Sequence, residues 1–171
     1  MGRLAASEEN AMIPGDQAVD IFQRLGVSHV VWIPDSEVGV WDAALSGAST
    51  LRLVRATREG EAIAIAGGLY LGGARPLVII QCTGFFEAGD SLRNFVHDLK
   101  LPLAFLIGLR NYTAHKAGHS SDSCPVFTEP ILQAWRLPFQ ILEKTFSAEQ
   151  LYDALRKVYS SEKAGVVILG E

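Results

Sequence analysis

The sequence predicts an α/β fold: a doubly wound, mainly parallel six-stranded sheet with helices on both faces. Three observations predict it. Short runs rich in β-branched residues alternate along the chain with segments of helical period, the pattern of a sheet covered by crossover helices. One run, "PLVIIQC" (76–82), is almost unbroken in its apolar character, as a strand buried on both faces must be. Hydrophobic residues make up 49% of the 171 and charged residues only 20%, a balance that supports a packed core rather than a disordered chain.

Residues 1–13 read as an N-terminal extension and 14–171 as a single domain, since no repeat, low-complexity tract or linker divides the chain. In the first helix Ala18, Ile21, Phe22 and Leu25 recur at i, i+3, i+4 and i+7, with Asp16 as the expected N-cap and Gly26 as the stop. "HVVWI" (29–33) is the first strand, and a helix is expected over about 37–45. "LRLVRA" (51–56) is the second strand and leads into a helix over 59–71. After "PLVIIQC" a loop is expected, "CTGFFEAGD" (82–90). Its Asp90 caps a helix in which Leu92, Phe95, Val96 and Leu99 keep the same spacing. "LPLAFLIG" (101–108) is the fourth strand. The polar stretch after it, too rich in Gly and Ser for a stable helix, is expected to be a long loop. A helix over about 126–135, a strand "FQILE" (139–143), a helix opened by Ser147 and Gln150 in capping-box spacing and a strand "AGVVILG" (164–170) complete six strands and about six helices.

The net charge of −4 leaves no overall basic surface for nucleic acid. The opening "MGRLAASEENAMIPGD" lacks the apolar core of a secretory signal, and Ala6 stands where a myristoylation signal needs Ser or Thr. The longest apolar run, Ala62 to Ala74, has 13 residues with four glycines, too short to cross a bilayer. Two cysteines, Cys82 and Cys124, do not make a disulfide scaffold. The expectation is a cytoplasmic protein with a small-molecule site.

In open α/β sheets ligands bind beyond the carboxyl ends of the strands. Four loops therefore hold the candidate chemistry: "PDSE" (34–37), "TREGE" (57–61), "CTGFFEAGD" (82–90) and "GLRNYTAHKAGHSSDS" (108–123). Glu59 and Glu61 fall in the second. An acid in a first helical turn is stabilised by about 0.3–1 kcal/mol through the helix dipole and needs no other purpose. The residues after them, "AIAIAGGLYLGG", add a further property: their small side chains permit close backbone approach and would bury whatever the helix start points at.

"REGEAIAIAGGLYLGG" resembles the segment of thiamine-diphosphate-dependent decarboxylases and acetolactate synthases in which an Asn-Glu or Arg-Glu pair opens a helix running into Ala-Ala-x-Gly-Tyr. Together with "WIPDSEV" and "TGFFEAGDSL" it looks like the α subunit of sulfopyruvate and phosphonopyruvate decarboxylases, in order and with compatible spacing from about residue 14 to the end. The resemblance implies a pyrimidine-binding domain in which Glu59, directly after Arg58, hydrogen-bonds a ring nitrogen of the cofactor's aminopyrimidine and promotes its imino tautomer. Glu61 is then a solvated helix-start acid. The same resemblance sets Ser36 near the substrate carboxylate; Asp35 is a candidate substrate contact beside it, with capping of the following helix as the alternative for both, and Pro34, Thr83 and Gly84 are candidate cofactor contacts, Gly84 by letting the backbone come close to cofactor or substrate. Phe85 and Phe86 are candidate pocket walls, with plain core packing as their alternative. Related enzymes carry histidine in the fourth loop for proton transfer, a role that falls to His115 or His119. Arg110 and Lys116 would suit an anionic substrate.

The diphosphate and Mg2+ half of such a site carries Gly-Asp-Gly followed by an Asn pair. This sequence offers only "AGDSL" (88–92), so a separate diphosphate-binding β subunit is implied, in an α2β2 or larger assembly. A metal site built from His115, His119 and Cys124 lacks a fourth ligand, and none is expected. Three other readings stay open: a thiamine-dependent carboligase subunit, a cysteine hydrolase or amidotransferase using Cys82 with a loop histidine as base, and a non-catalytic paralogue serving as a partner chain.

Overall fold

A computed structural model describes residues 12–35 and 38–171. Six strands form one all-parallel sheet: β1 (His29–Trp32), β2 (Arg52–Arg55), β3 (Pro76–Gln81), β4 (Ala104–Leu109), β5 (Phe139–Glu143) and β6 (Gly165–Gly170), in the order β2-β1-β3-β4-β6-β5. Between them run α1 (Gly15–Arg24), α2 (Asp42–Gly47), α3 (Glu59–Leu71), α4 (Cys82–Glu87), α5 (Gly89–Leu92), α6 (Tyr112–Lys116), α7 (Cys124–Ala134) and α8 (Ala148–Ser160).

The alternation of side chains along each strand splits the core into two layers. Ala104 and Leu106 of β4 and Val167 and Leu169 of β6 join the layer under α1, α2 and α8. Phe105, Ile107, Val166 and Ile168 join the opposite layer, under α3, α4 and α7. Central strands are buried on both faces, whereas Arg52 and Arg55 make the edge strand β2 charged, which discourages pairing with a foreign strand. Met12 and Ile13, assigned to the N-terminal extension by the sequence, belong to the first layer; the Ile13 carbonyl accepts a 2.8 Å hydrogen bond from Trp41 Nε1.

Several local expectations need correction. Asp16 is not the cap of α1: the helix starts at Gly15 behind an extended Pro14, and Asp16 accepts from the Gln17 amide inside the first turn. Gly26, at φ 71°, does stop that helix in a conformation only glycine adopts without strain. The helix expected over 37–45 is a 3-10 turn, Val38–Trp41, followed by α2. The loop expected over 82–90 is mostly helix, α4 and the start of α5. Asp90 lies inside α5 and pairs with Arg93 at 3.0 Å instead of capping. Arg93–Asp98 continues as π-helix. Its wider turn breaks the i, i+7 stripe, so Leu92 and Val96 are buried while Leu99 is 54% exposed. The polar stretch after β4 contains a short helix, α6, entered through Asn111 at φ 58°, a left-handed conformation asparagine tolerates.

Ser147 and Gln150 form the expected capping box on α8: Ser147 Oγ accepts from the Gln150 amide at 3.2 Å and Gln150 Oε1 from the Ser147 amide at 2.7 Å. Ser147→Ala should lower unfolding stability by about 0.5–2 kcal/mol, read from the shift of a chemical denaturation midpoint. Among the described residues no helix is long and apolar enough to cross a membrane.

Candidate functional site at the carboxyl edge of the sheet

Because every strand is parallel, all six carboxyl ends lie along one edge. The connections leave β1 in one direction, to β2, and then return past it to β3, so the strand order reverses between β1 and β3, the place where sheets of this kind bind ligands. Helix α3 starts just past the end of β2, and α4 starts directly at the end of β3.

Glu59 is the first residue of α3, half-buried, and its side chain lies on Gly84 in the first turn of α4. A Cβ at position 84 would fall 1.9 Å from Glu59 Oε1 and 2.1 Å from its Cγ. Gly84 is thus the floor on which the carboxylate rests, and no larger residue leaves it there. The start of α3 is fastened from the same side. Glu87 of α4 pairs with Arg58 and accepts from the Gly60 amide at 3.4 Å, and Ser91 Oγ donates to the Gly60 carbonyl at 2.9 Å.

Glu61 turns the other way. It accepts from the Thr57 amide at 2.9 Å and from Thr57 Oγ1 at 2.8 Å, bonds that hold its carboxyl below the usual range. This is the helix-start acid the sequence suggested. Of the two glutamates that open α3, one closes its own turn and the other points at a neighbouring helix.

Asp35, beyond β1, accepts from the Val38 amide at 2.9 Å through Oδ1 and so anchors the 3-10 turn. Its Oδ2 lies over Gly108 near the end of β4: a Cβ there would be 3.4 Å from Asp35 Oδ2 and 2.8 Å from Glu171 Oε1. Carboxylates from the ends of two different strands therefore both lie over one glycine. Glu171, just past β6, is buried, and its main-chain oxygen accepts from the Thr113 amide at 2.9 Å. Ser36 lies outside the described residues. Pro34 and Thr83 are exposed, and Thr83 Oγ1 donates to Gln81 Oε1 at 3.1 Å. Phe85 is wholly buried in the α3/α4/α7 layer and Phe86 half-buried against it. Core packing, the alternative the sequence allowed, describes Phe85.

The two cations offered for an anionic substrate are engaged. Arg110 Nε donates to Asp122 Oδ2 at 2.8 Å, and Lys116 to Glu143 at 2.5 Å. Asp122 also accepts from the Cys124 amide and the Asn111 side-chain amide, both at 2.9 Å, and these bonds hold its carboxyl well below the ordinary range. It ties the two ends of the α6 segment together. His115 sits on α6, half-buried, and its Nδ1 is buried without a hydrogen-bond partner. His119 is exposed beyond Gly118, whose φ of 74° ends the turn. The two histidines are therefore in different environments.

Cys82 is fully buried at the head of α4. Burial pushes its thiol up to about 12, with the adjacent Cys124 thiol adding to the effect. A thiol so buried is held mainly in its neutral, weakly nucleophilic form, which weighs against a cysteine hydrolase. Iodoacetamide at pH 8 should leave Cys82 unlabelled in the folded protein and label it after denaturation, as peptide mass spectrometry would show. Labelling of the native chain at Cys82 would reopen that reading.

Sequence reasoning missed Glu171, Gly108, Glu87 and Ser91. Glycine at the end of an otherwise apolar strand signals close approach of another group, so Gly108 was within reach. Glu171 carries no local pattern that marks it.

No protein-family model matches the chain. Over 157 residues, 91% of its length, the chain is 20% identical to a sulfopyruvate decarboxylase of Methanosarcina acetivorans, and it spans 40% of the length of that curated relative.

Proposed function

We propose that this chain is the pyrimidine-binding subunit of a two-subunit thiamine-diphosphate-dependent decarboxylase acting on a small 2-oxo acid of the sulfopyruvate or phosphonopyruvate type. The observation that carries the reading is the carboxylate of Glu59, aimed from the first turn of α3 onto Gly84 at the carboxyl edge of the sheet. The likeness to a sulfopyruvate decarboxylase over most of the chain supports it.

The residues present fit the aminopyrimidine. Glu59 offers an oxygen acceptor at a site kept open by a glycine, and His115 Nδ1 is buried without a hydrogen-bond partner. When bound, thiamine diphosphate supplies the electron sink for the carbon from which carbon dioxide departs. Glu59 would hold the proton at the pyrimidine ring nitrogen. The Glu87 and Ser91 contacts to Gly60 would keep the turn carrying Glu59 in place. Asp35 and His115 would serve the proton transfer beside the departing carboxylate. The structural difference favours His115 over the exposed His119 for this work. The diphosphate and Mg2+ would be held mainly by the separate β subunit, in an α2β2 or larger assembly.

Calorimetric titration of thiamine diphosphate with Mg2+ tests this directly. Binding is expected in the complex with the β subunit and not in the chain alone. Absence of binding in both would overturn the thiamine assignment.

A further inference from the structure

A pocket opens at the opposite edge of the sheet, where the turns leading into β4, β5 and β6 come together. It encloses about 360 Å3 and is lined by His97, Lys100, Arg136, Glu162 and Lys163 around a floor that includes Leu101, Leu137 and Ala164. We propose that this pocket binds a small phosphomonoester, its phosphate held by Lys100, Arg136 and Lys163 with His97. This stands apart from the reading of the Glu59 site.

Three features point to an anion. The three cations outnumber the single carboxylate, and among the described residues none of the three forms an ion pair, although seven other basic side chains do. His97 stacks on Trp135, ring centroids 5.7 Å apart, and its Nε2 is buried without a hydrogen-bond partner. Lys100, Arg136 and Glu162 are three of the four non-glycine residues with positive φ among those described, at 55°, 51° and 53°.

Each of these three comes after a helix, and a left-handed residue is the ordinary way to end one. Glycine would do so without strain, yet a cation stands at two of the positions. A helix dipole favours a cation near its C-terminus, but accounts neither for an apolar floor nor for the orphan imidazole nitrogen. The helix ends themselves are closed: the Leu101, Leu137 and Ser161 amides bond back to the Phe95, Leu132 and Val158 carbonyls at 3.0, 3.0 and 3.1 Å. Side-chain cations, rather than main-chain carbonyls, are thus left to define the charge of the pocket. Paired donors of this kind suit phosphate oxygens, and the floor suits a short carbon skeleton.

Glycerol 3-phosphate and inorganic phosphate, each titrated at constant ionic strength into the 15N-labelled 171-residue chain, separate the sources of the anion. The His97 imidazole resonance is expected to shift saturably with both, with the ester binding more tightly. Lys100→Gly with Arg136→Gly removes two charges while relaxing two strained backbones, so folding is retained. That variant should lose at least tenfold in affinity. An unshifted His97 resonance with both ligands, or unchanged affinity in the double variant, overturns the proposal. Tighter binding of inorganic phosphate than of the ester also overturns the assignment to a phosphomonoester.

Discussion

Glu59→Gln is expected to lower decarboxylation by the reconstituted complex by about two to four orders of magnitude, the usual contribution of a positioned proton-transferring group. Glutamine matches glutamate in size, so the contact with Gly84 and the packing of α3 on α4 survive, and only the ability to hold a proton at that oxygen is lost. The stability cost should be confined to the helix-dipole contribution, about 0.3–1 kcal/mol. Glu61→Gln is the matched control. It neutralises an acid two residues away on the same helix start, but one whose oxygen is already bonded to Thr57. Its activity should remain near that of the wild type. Steady-state rates for both variants, beside their denaturation midpoints, would decide. A fully active Glu59→Gln complex would mean that the carboxylate has only a structural place in α3.

The second large effect is expected from a residue with no functional group. Gly84→Ala puts a Cβ where the Glu59 side chain now lies, 1.9 to 2.1 Å from its Oε1, Cδ and Cγ. The methyl group cannot be accommodated with the carboxylate in place. Glu59 is only half-buried, however, and its side chain can swing toward solvent at modest cost. Alanine also gains roughly 0.5–1 kcal/mol over glycine within a helix, which offsets part of that cost. Stability should therefore change little while activity falls about as far as in Glu59→Gln. Because both substitutions disable the same contact, their effects should not add. The double variant is expected to be no slower than the worse single one. Additive losses would show that Gly84 serves something other than the placement of Glu59.

Glu59 and Gly84 differ in how far the sequence reveals them. The alternation of strand and helix, the continuous apolar run at 76–82 and the capping box at Ser147 each depend on residues close in the chain. The strand order, the helical turn at 82–87 and the π-helical widening at 93–98 do not. Thr83 and Gly84 look like loop residues by propensity. They are helical because the backbone turns into α4 directly at the end of β3, where glycine is needed to clear the glutamate of another helix. Leu99 looked like the last member of an apolar stripe and is exposed because the intervening turn holds more residues than an α-helical one.

The site divides in the same way. Glu59 could be picked out from its own neighbourhood, an acid at a helix start followed by small residues, and the resemblance gave it a role. Its separation from Glu61 could not be read locally, because both are first-turn acids; which one closes on Thr57 and which rests on Gly84 depends on where α4 lies. The approach of Asp35 and Glu171 to Gly108 brings together residues 136 positions apart and rests on the registers of β1, β3, β4 and β6. Arg110 and Lys116, which the sequence offered to a substrate, were claimed by Asp122 and Glu143 once the chain folded. By itself the sequence determined the fold class, most of the elements and the acid most worth testing, since hydrophobic period, caps and a local motif are short-range properties. Only the tertiary structure decided which side chains meet, because a contact between distant residues is set by the packing of whole elements and leaves no mark on the local sequence around either partner.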